Sequence, residues 1–370
     1  MISKNKICHI TSAHPIDDVR IYHKECLSLV SAGFEVHLLG VIQGKNKNPD
    51  LPYTLVDIKN VNFLIRFLIL PFKLNKIAKD INADLYHLHD PDLLTLALWL
   101  KLKGKKVIFD VHEDVPKQIY AKPYLGKLQK WMLSKFFIFF ESFIAKRIDS
   151  IVAATPLIFD RFKVKNRKTV NVNNYPILSE FNISDEAYQE KKDVIYAGVI
   201  DRNRGIVPLI ESLSYTKAKL KIAGFWGRDA FEKEVKQSTN WDKVDFLGFL
   251  NRKQIADNYS KSVAGIVTLL PTINYVESLP VKMFEYMAAG IPVVASNFPL
   301  WSKIINRINC GICVDPENPE EIGKAVDYLI DNPQESKTMG LNGRNAIIEE
   351  FNWQKEAEKL IDLYKDLLKN

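Results

Sequence analysis

The chain is poor in cysteine, with four in 370 residues, and no apolar run approaches the ~20 residues that cross a bilayer. Four cysteines at this length do not make a disulfide framework. Cys310-Gly-Ile-Cys313 has the spacing of a redox or zinc pair, but Cys8 and Cys26 are scattered, so buried strand cysteines are expected. No internal repeat or low-complexity tract is present, which sets repeat arrays aside. The opening Met-Ile-Ser-Lys-Asn-Lys leads into a strand-length apolar run, too short for a signal peptide, and a cytoplasmic enzyme is expected.

What is present describes a globular protein. Residues are 47% hydrophobic and 26% charged, and the length exceeds one ordinary core, so two domains are expected. Lys6–Thr11, Glu35–Val41, Asp84–Leu88, Lys106–Val111 and Ser150–Ala154 are short β-prone runs separated by helical or turn segments. This rhythm predicts a doubly wound parallel sheet. Asn173-Asn-Tyr-Pro176 and the polar stretch to Asp193 read as a linker. The rhythm restarts with Val194–Ala197, Lys219–Ala223, Val244–Leu247, Val263–Leu270, Pro292–Ser296 and Gly311–Val314. The expected domains are 1–175 and 190–351, followed by an amphipathic helix in 352–370.

One stretch carries most of the chemistry: Glu277-Ser-Leu-Pro-Val-Lys-Met-Phe-Glu285-Tyr-Met-Ala-Ala-Gly290-Ile-Pro292-Val-Val. It follows an apolar strand, and Pro280 suits the first helical position with Ser278 or Leu279 as cap. Glu277 then lies in the strand-end loop, with Glu285 about a turn and a half into the helix. The amides of the helix start, around Ser278, Leu279 and Val281, suit an anion, and the two carboxylates suit sugar hydroxyls. A phosphorylated sugar fits this arrangement.

Glu-x7-Glu followed by Met-Ala-Ala-Gly-x-Pro-Val-Val resembles the donor-site signature of retaining GT-B glycosyltransferases, most closely glycosyltransferase family four. The resemblance runs from Lys6 to the C-terminal helix. It implies a GT-B fold of two Rossmann-like domains with an interdomain cleft, and a final helix crossing back to the first domain. It implies no cofactor and no metal, the donor being a nucleoside-diphosphate sugar. After the strand at 194–197, the family places an Arg behind the first glycine and a Lys before the second. Here Gly198 is followed by Val199, and Arg204 precedes Gly205, so Arg202 or Lys282 supplies the missing charge. Gly224 and Gly248 end strands, where a missing side chain serves either backbone approach to a ligand or a tight turn.

In the first half, His112 of Phe109-Asp110-Val-His112-Glu113-Asp114 corresponds to a histidine near the transferred sugar in related enzymes. Asp110, Glu113 and Asp114 either fix its tautomer or contact the acceptor. His87-Leu-His89-Asp90-Pro-Asp92 invites a metal assignment, but a loop of structural hydrogen bonds is the favoured reading. The opening loop, Thr11-Ser-Ala-His14-Pro-Ile-Asp17-Asp18-Val-Arg20, departs from the family's glycine-rich version and offers Arg20 to a donor or acceptor phosphate.

Charge is unevenly spread. Residues 1–180 hold 27 Lys and Arg against 17 Asp and Glu, and the remainder holds 24 against 27. The basic excess accompanies large apolar residues in Asn62–Lys79 and Lys117–Arg147, as in interfacial helices on anionic membranes. No nucleic-acid module accompanies it. The reading is a retaining, metal-independent hexosyltransferase for cell-surface polysaccharide, such as lipopolysaccharide or capsule. Glu277 and His112 would act on the sugar, with a lipid-linked or oligosaccharide acceptor at the inner face of the plasma membrane. The rivals are a sugar-nucleotide epimerase of the same fold and a two-lobed ligand-binding protein.

Overall fold

The computed structural model describes residues 5–42, 49–57, 65–122, 124–181 and 191–369. The chain divides into two compact units, one of Met1–Asn174 with Gln354–Asn370 and the other of Tyr175–Trp353.

The first unit holds seven parallel strands: β1 (Lys6–Ile10), β2 (Glu35–Val41), β3 (Tyr53–Val56), β4 (Leu85–Leu88), β5 (Lys106–Val111), β6 (Ser150–Ala153) and β7 (Thr169–Asn171). Their order is β3-β2-β1-β4-β5-β6-β7. All pairs are parallel, with Ile7 opposite both Val36 and Leu85. Strands buried on both faces read as continuous apolar runs, which is why β1, β4 and β5 were legible. The edge strands β3 and β7 lacked that signal and were not anticipated. The order reverses between β1 and β4, and ligands of open α/β sheets bind outside the carboxyl ends at such a point.

The second unit repeats the plan with β8 (Val194–Ala197), β9 (Leu220–Ala223), β10 (Val244–Gly248), β11 (Ala264–Val267), β12 (Val293–Ser296) and β13 (Gly311–Val314). The order is β10-β9-β8-β11-β12-β13, reversing between β8 and β11. Neighbouring residues of one strand feed different cores: Ile195 and Ala197 pack with the Val281–Ala288 helix, while Val194 and Tyr196 join the cluster around Leu209 and Ile322. That alternation is the two-residue period of a strand. β11 is shorter than the expected Val263–Leu270, its pairing ending at Val267.

The final helix, Trp353–Leu368, buries Leu360, Leu363, Tyr364 and Leu367. Its contacts in the first unit include Asp366 with Lys168 at 2.6 Å and Glu356 with the Asn173 amide at 2.9 Å. Among the described residues, no helix is long and apolar enough to cross a membrane.

Candidate functional site

At the reversal point of the second sheet, the turn after β8 meets the Val281–Ala288 helix, with Gly198 beside Lys282, and the loop after β11 leads into that helix. Pro280 is the N-cap, with extended ψ of 121°, and no side chain caps the helix. The expected cap at Ser278 or Leu279 is thereby corrected by one to two residues. Ser278 is committed elsewhere: its hydroxyl donates to the Tyr275 carbonyl at 3.0 Å, and its own carbonyl accepts from buried Trp301 Nε1 at 2.6 Å. These bonds pin the loop carrying Glu277, which is exposed, and Leu279.

Lys282 is the unusual group. It is 8% exposed, its Nζ has no hydrogen-bond partner among the described residues, and it sits 3.8 Å from the centroid of the Tyr196 ring. Burial first, then the nearby Arg204, pushes its pKa well below the ordinary lysine value. A buried, unpaired ammonium is costly, so a position that keeps one is a candidate anion site. Gly198 makes room for it: at φ +137°, an added Cβ would lie 2.9 Å from Lys282 Nζ. Arg204 stands beside it, over the Tyr275 ring at 5.7 Å, with Nε buried and without a hydrogen bond. Arg202 is instead exposed and paired with Glu234. The side chain placed against Gly198 is therefore Lys282.

Val281 opens the helix, and Glu285 lies one turn along it. Tyr259 donates to Glu285 Oε2 at 3.3 Å, and Arg252, held by Glu180, lies 3.9 Å from Oε1. Sequence reasoning missed Tyr259 and Arg252, which carry no local motif. Gly224 serves the protein's own backbone: a Cβ there would lie 1.9 Å from the Gly198 carbonyl oxygen. Its amide donates to the carbonyl of Gly248, whose φ of +65° makes a turn.

The reversal point of the first sheet is ionic and aromatic. Arg20 is 4% exposed and grips Asp110 through two bonds of 3.1 Å, with a third donor on the Val172 carbonyl at 3.0 Å. The expectation that Arg20 meets a phosphate is corrected, because its guanidinium is spent inside the fold. Asp110 is fully buried and accepts from His112 Nε2 at 3.0 Å, so it orients the imidazole and does not itself face solvent. Burial opposes ionisation of Asp110, but Arg20 and His112 hold its pKa well below the carboxylate range. Asp114 caps the Val115–Ala121 helix by accepting from the Lys117 amide at 3.4 Å, a structural task in place of the acceptor contact expected. Glu113 is exposed and accepts from Gln118.

The loop after β1 explains its lack of glycines. Asp90 accepts the amides of Ser12 at 2.7 Å and Ala13 at 3.2 Å, so an internal anion occupies donors that a glycine-rich loop leaves for phosphate. Asp92 accepts from Ser12 and Arg66. Asp90 also pairs with His14 Nδ1 at 3.1 Å, bringing the His14 ring 5.0 Å from that of His112. The sequence pattern alone marks His14 only as a member of this loop. His9, His87 and His89 are fully buried behind His112.

Two parallel doubly wound units, each with its strand-order reversal, match what the comparisons find. Residues 20–167 match the model described as Glycosyltransferase Family 4, and residues 180–346 match that described as Glycosyl transferases group 1. The chain belongs to the GT4-type glycosyltransferases. An uncharacterised glycosyltransferase of Methanocaldococcus jannaschii is 30% identical over 190 residues, 50% of this chain and 47% of that relative, so the chain spans about half its length. Sucrose-phosphate synthase of Thermosynechococcus elongatus shares the fold with a TM-score of 0.78 at 18% identity, covering 98% of this chain and 99% of that one. Anabaena HepE, solved with UDP and glucose, gives 0.76 at 14% identity, covering 98% and 100%. The GT4-type glycosyltransferase thus has the GT-B fold of two Rossmann-like domains.

Proposed function

We propose that this glycosyltransferase moves a sugar from a nucleoside-diphosphate donor to an acceptor hydroxyl, with retention at the anomeric carbon. The observation that carries the reading is the buried Lys282 Nζ, without a hydrogen-bond partner among the described residues, beside Gly198, Arg204 and an uncapped helix start. Those donors neutralise charge growing on the leaving diphosphate, the largest demand of the reaction. Glu277 takes sugar hydroxyls and Glu285 the ribose. A phosphate oxygen of the leaving group receives the acceptor's proton, so the chemistry needs no metal and no cofactor. The bond broken joins the anomeric carbon to phosphate oxygen; the bond formed joins it to the acceptor oxygen on the same face. His112 contacts the transferred sugar.

The acceptor is a lipid-linked glycan of cell-surface polysaccharide synthesis, presented at the cytoplasmic face of the plasma membrane. The Lys127–Ala145 helix supports this, with Trp131, Phe136 and Phe139 more than half exposed among lysines. HepE was solved with UDP and glucose, which makes UDP-glucose the first donor to try.

Thermal-shift measurements with UDP, GDP and their sugars test the donor site. A ligand at 100 times its Kd stabilises by about 2.7 kcal/mol. Lys282→Met removes one charge-assisted bond and should weaken the binding by roughly 10- to 100-fold. Glu277→Gln should lower transfer while sparing UDP binding. Unchanged transfer in Glu277→Gln, or UDP binding indifferent to Lys282→Met, would overturn the assignment. Conversion of donor incubated without acceptor would indicate an epimerase instead.

A further inference from the structure

The buried histidines of the first unit form a continuous chain that begins on the last helix. Tyr364 OH lies 2.5 Å from His87 Nδ1 and 3.1 Å from His9 Nε2. His9 Nδ1 lies 2.9 Å from His89 Nε2. His89 Nδ1 lies 3.5 Å from Asp110 Oδ2, the oxygen that also accepts from His112 Nε2 at 3.0 Å. The rings of His9, His87 and His89 have no solvent access. Only His112, 14% exposed at the side chain, reaches the surface.

The direction of such a chain is a matter of counting. A neutral imidazole has one donor nitrogen and one acceptor nitrogen, so whichever role one takes fixes the other. Burial holds His9 and His87 well below the ordinary histidine value and His89 down to about 4, so all three are neutral at pH 7. An ionised carboxylate only accepts. His89 Nδ1 and His112 Nε2 therefore both carry hydrogen toward Asp110, and His89 Nε2 must accept from His9 Nδ1–H. His9 Nε2 is then a lone pair that needs a donor, and the Tyr364 hydroxyl is that donor. The Tyr364 oxygen in turn accepts from His87 Nδ1–H. The chain ends on His87 Nε2, which has no hydrogen-bond partner among the described residues.

We propose that Tyr364 is a positioning residue: by donating to His9 Nε2 it secures the tautomers of His9 and His89 that Asp110 dictates, while Asp110 itself holds the His112 proton on Nε2 and leaves Nδ1 to face outward. His112 then offers an acceptor to a substrate hydroxyl. Without the hydroxyl, the His9 Nε2 lone pair loses its donor, and the order that Asp110 favours is held less firmly. In the reversed order, the His89 Nδ1 lone pair faces Asp110 and competes for the His112 proton at 3.3 Å. The significance of His112 to transfer rests on the reading above; the tautomer assignment does not.

His9, Glu25, His87 and His89 also lie close enough together to hold a divalent ion. Such an ion would displace Tyr364 from His87 and His9 from His89. It would also sit beside the Arg20 guanidinium, 3.0 Å from Glu25. The hydrogen-bonded arrangement accounts for the imidazole contacts without it.

Nitrogen-15 NMR of the imidazoles in the full chain tests the chain directly, each ring assigned by its loss in a single His→Gln variant. At pH 7, His9, His87 and His89 should be neutral with hydrogen on Nδ1, and His112 should carry it on Nε2. Tyr364→Phe should mix the tautomers of His9 and His89, and lower kcat roughly tenfold, the worth of one hydrogen bond. UDP affinity should be unchanged. A wild-type His89 protonated on Nε2, or tautomers unmoved by Tyr364→Phe, would overturn the proposal. So would stoichiometric zinc in the purified protein whose removal changes these signals. If His112→Ala transfers sugar normally while the wild-type tautomers are as stated, the chain stands and the role of His112 in transfer falls.

Discussion

Keeping three imidazoles away from water has a consequence for stability at the level of single residues. The unfolded chain protonates its histidines near pH 6.5, but His89 in the fold does so only near 4, and His9 and His87 are also held well below their ordinary value by burial. Between those limits the unfolded state binds more protons, so stability falls as pH drops below 6.5. Each histidine contributes at most about 1.4 kcal/mol per pH unit. His14 has the opposite sign: although burial opposes it, Asp90 raises its pKa, so its contribution is full below 6.5 and fades as pH rises through the folded value. Burial also lowers His37 and raises the Glu25 carboxyl well above its ordinary value, so four depressed imidazoles oppose His14 and Glu25. The urea midpoint of the first unit should therefore fall between pH 7.5 and 5.5, and His89→Gln should flatten the slope. A midpoint that does not move over this range would contradict neutral buried histidines.

At the level of the element, the Lys127–Ala145 helix shows how a single segment serves two surroundings. Phe137, Ile144 and Ala145 are buried, and Glu141 is buried with Arg161 as its partner. Trp131, Phe136 and Phe139 stand in water with Lys127, Lys130 and Lys135 nearby on the same helix. Replacing exposed side chains moves stability by less than about 0.5 kcal/mol. Phe136→Ser with Phe139→Ser should thus leave the melting temperature unchanged and reduce flotation with anionic liposomes, and full retention of flotation would remove this helix as the membrane contact. The other basic segment, Asn62–Lys79, is different. Asn62–Leu64 lie outside the described residues, while Leu70 and Leu74 belong to the core, so its apolar residues are partly structural. Sequence periodicity shows that a helix is apolar, not which apolar side faces protein. The same limit applied elsewhere. The central strands and the Glu277–Glu285 stretch were legible because they are local patterns. The Arg20–Asp110 pair joins residues 90 apart and the Tyr364–His9 bond residues 355 apart, and no spacing rule connects them.

At the level of the whole molecule, two units with separate sheets and separate cores divide the chemistry between them. The buried histidines all belong to the first unit, which includes the last helix, whereas Arg204, Lys282 and Glu285 belong to the second. A ligand stabilises only what it binds, and a proton destabilises only what excludes it. Urea unfolding should accordingly depart from a single two-state curve, as multi-domain chains commonly do. Trp99 and Trp131 lie in the first unit, and Trp226, Trp241, Trp301 and Trp353 in the second, so fluorescence of chains retaining one set reports each transition. Adding UDP at 100 times its Kd should raise the second unit's stability by about 2.7 kcal/mol and leave the first unit's midpoint in place. Lowering pH from 7.5 to 5.5 should do the reverse, moving the first unit's midpoint down with little effect on the second, which contains no histidine among the described residues. Equal shifts of both transitions under either treatment would mean that the units unfold as one, and the assignment of each site to its own unit would lose its energetic meaning.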